Sequence, residues 1–374
     1  MFIINFKQKV YRKFHFYKNY LLHILYLYLE NLVALLFLII RKKTNAKDLN
    51  KSTILICRHF FYGNNEISME KINLDDTLNN FDVNLIHFYW DIKTKAGTNL
   101  LRLIKIILNF KPKLIIFSSY NSTIKRPITQ PSRFILNLLS KKLILNNIIA
   151  IWWDTCSDSF VNLYLSKKTA FKMHVIVDNP TLNLNYNFIN IEEKNKIIAL
   201  FVPYNINQQF YPLIKSINYS FVGQIDSYRN YRLPYIEHLK MSDIQGEILF
   251  NTRDKQISHK SYREILGKSK IGINFSFSVD KDQLKARVFE IIMSGALLLE
   301  SKNEQTSTIL ENNIDFVSFD SKEDLLSKIQ YYLNNNSERE AIIKNAQKKV
   351  LLKYNGLKFW EIIFNKLNLK ISTK

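Results

Sequence analysis

Apolar residues along most of this chain fall either in short unbroken runs or at helical spacing, and the two kinds of segment alternate. Runs at 53–57, 83–89, 113–118, 148–153, 174–178 and 197–203 have the length of strands covered on both faces. Between them, 100–108 and 135–142 repeat their apolar positions every three to four residues, as helices with one buried face do. A second round follows, with strands expected at 219–223, 247–250, 271–275, 296–299 and 315–318. Its helices are expected at 261–269, 284–292, 307–311, 321–333, 337–354 and 357–367. Alternation on this scale predicts an α/β protein with doubly wound parallel sheets. The two rounds are joined by VPYNINQQFYP, which predicts two α/β domains, 49–210 and 211–355, followed by a last helical piece, 356–374.

Residues 1–48 do not fit that alternation. Up to Lys47 they hold nine Lys or Arg against one acid, Glu30, around an apolar run at 20–40 that is rich in tyrosine. The run is about long enough to span a bilayer, but His23, Glu30 and Asn31 are expensive at bilayer depth. Three readings stand: a helix lying in a membrane interface, a spanning anchor, or a buried helix of the first domain.

Length and charge narrow the picture. A chain of 374 residues is long enough for two domains plus such a segment. Its net charge of +21 calls for an anionic partner, either a membrane surface, a phosphate-bearing ligand or nucleic acid. Nucleic acid is disfavoured, because no zinc-finger or RNP-type signature is present and the excess charge gathers before residue 48. The two cysteines, Cys57 and Cys156, have no metal or redox spacing and read as buried apolar residues in a reducing, cytoplasmic compartment. The histidines do not cluster, and the acidic pair Asp75-Asp76 reads as a bare surface pair, so no metal site is expected.

Candidate chemistry gathers in SKIGINFSFSVDKDQLKARVFEIIMSGALLLES, residues 269–301. It reads as strand, loop, helix and strand, with Leu284, Val288, Ile291 and Ile292 on the buried face of the helix and Gly295 ending it. Ligands of open α/β sheets sit outside the carboxyl ends of the strands, which places 276–285 at the rim. Lys285 and Arg287 lie near the start of the helix, where backbone N–H groups also favour an anion. Glu290 is a turn further in, and a carboxylate there can accept hydrogen bonds from a diol such as a ribose.

The pattern K-x-R-x-F-E, four more residues and then a glycine with an apolar run resembles the nucleotide-sugar half of GT-B glycosyltransferases. It is most similar to the group 1 class and its spore-maturation-protein-like branch. VPYNINQQFYP, the strand ends WWD and VDN, and the glycine-ended strand SFVGQ resemble segments of the same class in the same order. The resemblance covers about residues 200–350 well and 50–200 loosely. It implies two Rossmann-like domains facing across a cleft and a final helix that crosses back onto the first. It also implies a nucleoside diphosphate sugar as donor substrate, no further cofactor, and a glycan or lipid-linked acceptor for a surface polysaccharide or lipopolysaccharide at the inner face of the cell membrane.

Several residue roles are carried over by that resemblance. Glu290 corresponds to the glutamate that holds the ribose, and Asp282, eight residues earlier, to the acid that faces the transferred sugar, where many relatives have glutamate. Gly223 corresponds to the glycine that lets the diphosphate approach, and Arg229 to the basic residue some six positions on. The basic residue often found directly after that glycine is Gln224 here.

Transfer from such a donor expels a diphosphate through an oxocarbenium-like transition state, so the site must neutralise growing negative charge. Arg229, Lys285 and Arg287 are the available set, with Arg232 and Lys281 behind them. Asn274, Ser276, Ser278 and Gly295 complete the expected donor contacts, while Phe275 and Phe277 read as core. Asp154 and His59 stand at expected strand ends as candidate bases for the acceptor. A retaining reaction, the expected type, can use the departing phosphate as base instead. Two other readings remain at this point, a basic nucleic-acid-binding protein and an inactive GT-B partner subunit.

Overall fold

A computed structural model of the protein describes residues 32, 51–58, 71–89, 99–118, 131, 133–143, 147–153, 155, 165–182, 189–205, 211–225, 229–251, 257–277 and 282–374. Apart from Leu32, the basic apolar stretch 1–48 lies outside the described residues, as do His59, Asp154, Cys156, Ser278 and Lys281. Among the described residues no helix is long and apolar enough to cross a membrane.

Two sheets account for the strands. The first contains β1 (Ser52–Arg58), β2 (Val83–Tyr89), β3 (Leu114–Ser118), β4 (Ile148–Trp152), β5 (Met173–Ile176) and β6 (Ile197–Ala199), in the order β2-β1-β3-β4-β5-β6. The second contains β7 (Ile217–Gln224), β8 (Glu247–Asn251), β9 (Ser269–Asn274), β10 (Leu297–Ser301) and β11 (Val317–Phe319), in the order β11-β10-β9-β7-β8. The pairs described in register, β1 with β3, β5 with β6, β7 with β8 and β9, and β10 with β9 and β11, are parallel. Helices α1 (Asp76–Leu78), α2 (Asn99–Phe110), α3 (Arg133–Leu143) and α4 (Ile191–Lys194) interleave with the first sheet. Those of the second are α5 (Leu233–Lys240), α6 (His259–Lys268), α7 (Ala286–Met293), α8 (Glu304–Ser307) and α9 (Lys322–Asn334), followed by α10 (Asn336–Lys353) and α11 (Gly356–Lys366). The α/β class and the two successive rounds are therefore as expected.

By packing, the chain forms two compact units. One comprises Met1–Phe60, Asn84–Ile149 and Lys168–Lys172, the other Phe61–Val83, Ala150–Lys167 and Met173–Lys374. In the first unit, Ile54, Leu55, Ile56 and Cys57 of β1 and Leu114 to Phe117 of β3 are buried, and burial pushes the free Cys57 thiol well above its usual range. The core of the second unit carries the candidate site. Tyr219, Phe221, Ile271, Ile273, Phe275, Leu297, Leu299, Val317 and Phe319 form one face of the second sheet and meet Ile236, Leu239, Leu325 and Ile329 from the helices. Alternation along each strand sets this face, because successive side chains point to opposite sides.

The other face is shaped by a glycine. A Cβ at Gly272 would lie 2.6 Å from Ile291 Cγ2, so only a glycine lets α7 press this closely on β9. At its far end α7 stops at Gly295, whose φ of +68° is costly for a side-chain-bearing residue. Lys215 Nζ donates to Ser294 O at 2.8 Å and to Gly267 O at 2.9 Å, a cation on two helix ends. Burial pushes that amine down to about 8.

Several local expectations are corrected. Leu284 is buried at the spacing of α7 but lies outside the helix, its N–H donating to Asp178 O at 2.8 Å. The helix expected at 307–311 sits earlier, because Asn303 Oδ1 accepts from the N–H groups of Gln305 and Thr306 and starts α8 there. Strand β6 ends at Ala199, shortly before Pro203, which has no N–H for a ladder. Asp75 is 2 % exposed rather than on the surface, and Phe277 is 41 % exposed rather than core. Phe275, read as core, is buried. The last helix, α11, packs on residues far earlier in the chain. Trp360 Nε1 donates to Thr77 Oγ1 at 2.8 Å, and Phe364 meets Phe81 edge-on at 5.2 Å.

Candidate functional site

The order of the second sheet locates the site before any side chain is considered. From β7 the chain passes to β8 on one side, whereas β9, β10 and β11 extend on the other. The crevice where that order reverses opens beside the carboxyl ends of β7 and β9, and ligands of open sheets bind there. Gly223 and Gln224 end β7, and Asn274 ends β9, with Phe275 and Ser276 following it.

Three elements bring polar groups to this place. The turn after β7 carries Arg229 and Arg232. Arg232 is 5 % exposed and clasps the two strand ends, donating from Nη1 to Gln224 O at 3.0 Å and from Nη2 to Phe275 O at 2.9 Å. Arg229 Nη1 donates to Gln224 Oε1 at 3.3 Å. The α7 helix carries Lys285 at its N-cap, Arg287 in its first turn and Glu290 one turn on, while Gly295 stands at its other end. The α6 helix supplies Tyr262, which sequence reasoning did not single out.

These groups form one connected chain. A Cβ at Gly223 would lie 3.4 Å from Arg287 Nη1. Arg287 Nε donates to the Tyr262 hydroxyl at 3.2 Å, and that hydroxyl donates to Glu290 Oε2 at 2.5 Å. Burial alone would lower the Arg287 pKa, but Tyr262 and Glu290 outweigh it and hold the guanidinium above its usual range. Burial raises the Glu290 carboxyl above the usual carboxylate range, against the hydrogen bond from Tyr262 and the charge of Arg287. Tyr262 itself is raised by burial and by Glu290. Tyr204, stacked on Phe289 at 6.3 Å, is raised well above its usual range by burial and by the same glutamate.

The loop entering α7 is anchored on both sides. Asp178, at the strand end VDN, is 1 % exposed. Its carboxylate accepts from Gln283 Nε2 at 2.7 Å, from the Thr155 N–H at 2.6 Å and from the Thr155 hydroxyl at 2.8 Å. Asn303 Nδ2 donates to Gln283 O at 2.8 Å. Asp282 Oδ2 accepts the Glu304 N–H at 2.8 Å, at the start of α8. Asn274 and Ser276 are buried and turn inward, Asn274 Nδ2 donating to Ser276 Oγ at 2.9 Å and to Glu300 Oε2 at 2.8 Å. Gln283 and Glu300 had no recognisable local signal, Asp178 had only its strand end and Arg232 only a place behind Arg229, and the structure joins all four to this place. Among the described residues no group of three or more His, Cys, Asp or Glu side chains is arranged to hold a metal ion.

The arrangement suits a ligand with an anionic part and a diol, since guanidinium groups and a helix N-terminus face one end and a carboxylate the other. Residues 224–358 match the family described as "Glycosyl transferase-like". A search among curated proteins finds no match. Among solved structures, the sucrose-phosphate synthase of Thermosynechococcus elongatus superposes with a TM-score of 0.58 at 10% identity, covering 85% of this chain and 98% of that one. A glycosyltransferase of Rickettsia africae gives 0.55 at 13%, covering 86% and 100%. HepE of Anabaena, in complex with UDP and glucose, gives 0.54 at 9%, covering 85% and 99%. Residues 224–358 are thus similar to a glycosyl transferase-like family, and the chain as a whole has the two-sheet fold of the GT-B glycosyltransferases.

Proposed function

We propose that the protein transfers a sugar from a nucleoside diphosphate sugar to a glycan or lipid-linked acceptor of a surface polysaccharide or lipopolysaccharide. The observation that carries this reading is the connected chain from Gly223 through Arg287 and Tyr262 to Glu290 at the switch point of the second sheet. In this reading Glu290 accepts hydrogen bonds from the ribose diol, with Tyr262 fixing its carboxylate. Arg287, Arg229 and Lys285 meet the diphosphate together with the first N–H groups of α7, and Arg232 keeps the two strand ends at the right separation. Negative charge grows on the diphosphate as the glycosidic bond breaks, so these cations act most strongly in the transition state and no metal is required of them. The reaction retains configuration, with the departing phosphate taking the acceptor proton.

A thermal-shift screen against UDP, GDP, ADP, CDP and dTDP tests the donor site, and UDP is the first probe because HepE was solved with it. Selective stabilisation by one nucleotide is expected, about 2.7 kcal/mol at a hundred times its dissociation constant. No stabilisation by any of the five would sink the reading.

The acceptor side rests on charge. The basic, tyrosine-rich apolar stretch 1–48 holds the enzyme on the cytoplasmic face of an anionic membrane, where a lipid-linked acceptor is available. Removing residues 1–47 should abolish co-sedimentation with vesicles of phosphatidylglycerol while leaving soluble nucleotide binding in place. Equal sedimentation before and after truncation would refute this part alone.

A further inference from the structure

Glu300 is fully buried near the end of β10, a position that the donor reading does not use. Its neighbours come from several elements. In the register of the sheet it lies opposite Asn274 of β9 and Ser318 of β11. Asn274 Nδ2 donates to Glu300 Oε2 at 2.8 Å. Arg287 of α7 acts on it through space, as does Tyr231 from the turn before α5, itself bound by Arg232 Nε at 3.2 Å.

The hydrogen-bond account here is unbalanced. Glu300 Oε1 and Asn274 Oδ1 are both buried and have no partner among the described residues. Ser276 lies close enough to act on the Glu300 carboxyl, yet neither of these two oxygens accepts a hydrogen bond of normal geometry, and buried polar groups are normally satisfied. An ionised carboxylate can only accept, whereas a protonated carboxyl brings one donor to this pair. Burial in fact pushes the Glu300 carboxyl up to about 7, against hydrogen bonding from Ser276 and Asn274 and the charge of Arg287.

We propose that Glu300 is a proton-linked positioning residue of the donor site, taking up a proton when a diphosphate settles against Arg287 and holding Asn274 and Ser276 at the end of β9 in both states. The inference rests on the donor-site reading above. The logic is electrostatic. Arg287 helps to keep Glu300 ionised, and a diphosphate placed against that guanidinium cancels its field and adds negative charge nearby. The carboxylate then takes one proton from the buffer onto an oxygen, and no other bond changes. Glu300 is already protonated well below neutral pH, so binding there costs nothing extra. Above neutral pH each binding event must recruit a proton, and affinity falls by at most about tenfold per pH unit.

Calorimetric titration in buffers of different ionisation enthalpy tests this. The probe is UDP-glucose, or GDP-mannose or ADP-glucose if the screen selects another base, because their diphosphates exchange no proton of their own between pH 5 and 9. Net proton uptake at pH 7 is expected for the wild type, with affinity falling from pH 6 to 9. Glu300→Gln, which stays neutral and keeps the contact with Asn274, should show no uptake and a flat profile at the level of wild type at pH 6. Glu300→Asp should restore uptake with a shifted midpoint, which a merely structural residue would not do. Equal uptake and equal pH slopes in wild type and Glu300→Gln would overturn the proposal. If Glu300→Gln does not fold, absence of uptake by the wild type near pH 7 overturns it without a variant. Binding without proton uptake defeats this inference alone, whereas absence of any nucleotide binding defeats the donor reading on which it stands.

Discussion

Replacing Arg287 by alanine is expected to lower kcat/KM by about a hundred- to a thousandfold, the cost typical of removing one preorganised group that stabilises developing charge. Arg287 is the centre of the connected chain, close to Gly223 through Nη1 and bound to Tyr262 through Nε. Its loss removes a cation from the leaving group and also a positive charge that favours the ionised form of Glu290. Affinity for the nucleoside diphosphate should therefore fall as well, by about ten- to a hundredfold for one lost charged hydrogen bond. The bare nucleoside should be spared relative to the diphosphate, since it carries no charge for the guanidinium to meet. Arg287→Lys keeps the charge but not the fork of donors, so it should recover diphosphate affinity more than turnover. Titration with nucleoside and nucleoside diphosphate, followed by turnover at saturating donor, separates these effects. A folded Arg287→Ala enzyme with unchanged turnover would remove Arg287 from the chemical step.

Glu290→Gln should act on the other end of the same ligand. The amide preserves shape and still offers an oxygen to the Tyr262 hydroxyl, which donates to Oε2 at 2.5 Å in the native site. What is lost is the charged acceptor for a diol, a hydrogen bond worth about 1.5–3 kcal/mol, so affinity should fall about ten- to a hundredfold. Nucleoside and nucleoside diphosphate should weaken alike, and turnover at saturating donor should change little. The pH dependence has a definite sign. Burial raises the Glu290 carboxyl, so its contribution to binding is lost as pH falls through that raised value. Glu300 acts in the opposite direction, weakening binding as pH rises past neutrality. Wild-type affinity should thus show two limbs, the acid one removed by Glu290→Gln and the alkaline one by Glu300→Gln. Unchanged binding of both ligands by a folded Glu290→Gln protein would place the donor elsewhere.

The strands of the two sheets were legible as apolar runs because a strand covered on both faces needs a continuous apolar segment of its own length. Helix α7 was legible because Val288, Ile291 and Ile292 repeat at helical spacing. The same rule misplaced Leu284, which is buried by its backbone contact to Asp178 and not by a helix. Periodicity reports burial, and a chain entering a helix can be buried for another reason. The sequence reading put Arg229 ahead of Arg232 on family position. In the structure Arg232 is the buried one, since it alone reaches both Gln224 O and Phe275 O. That preference depends on how far apart β7 and β9 end, a quantity absent from either segment alone.

By itself the sequence determined the α/β class, the two rounds of alternation and the placing of Arg287 and Glu290 on one short helix. All of these are local, set by spacings of a few residues along the backbone. Only the tertiary structure decided that Tyr262 bridges that pair, that Asp178 anchors Gln283 across 105 residues of chain, and that Glu300 faces Asn274. Those partners meet through strand register and helix packing, which join distant segments by shape and buried area and leave no periodic trace in the sequence. The state of the two buried carboxyls was decided at the same level, because burial, the largest influence on both, belongs to the folded chain and to no residue alone.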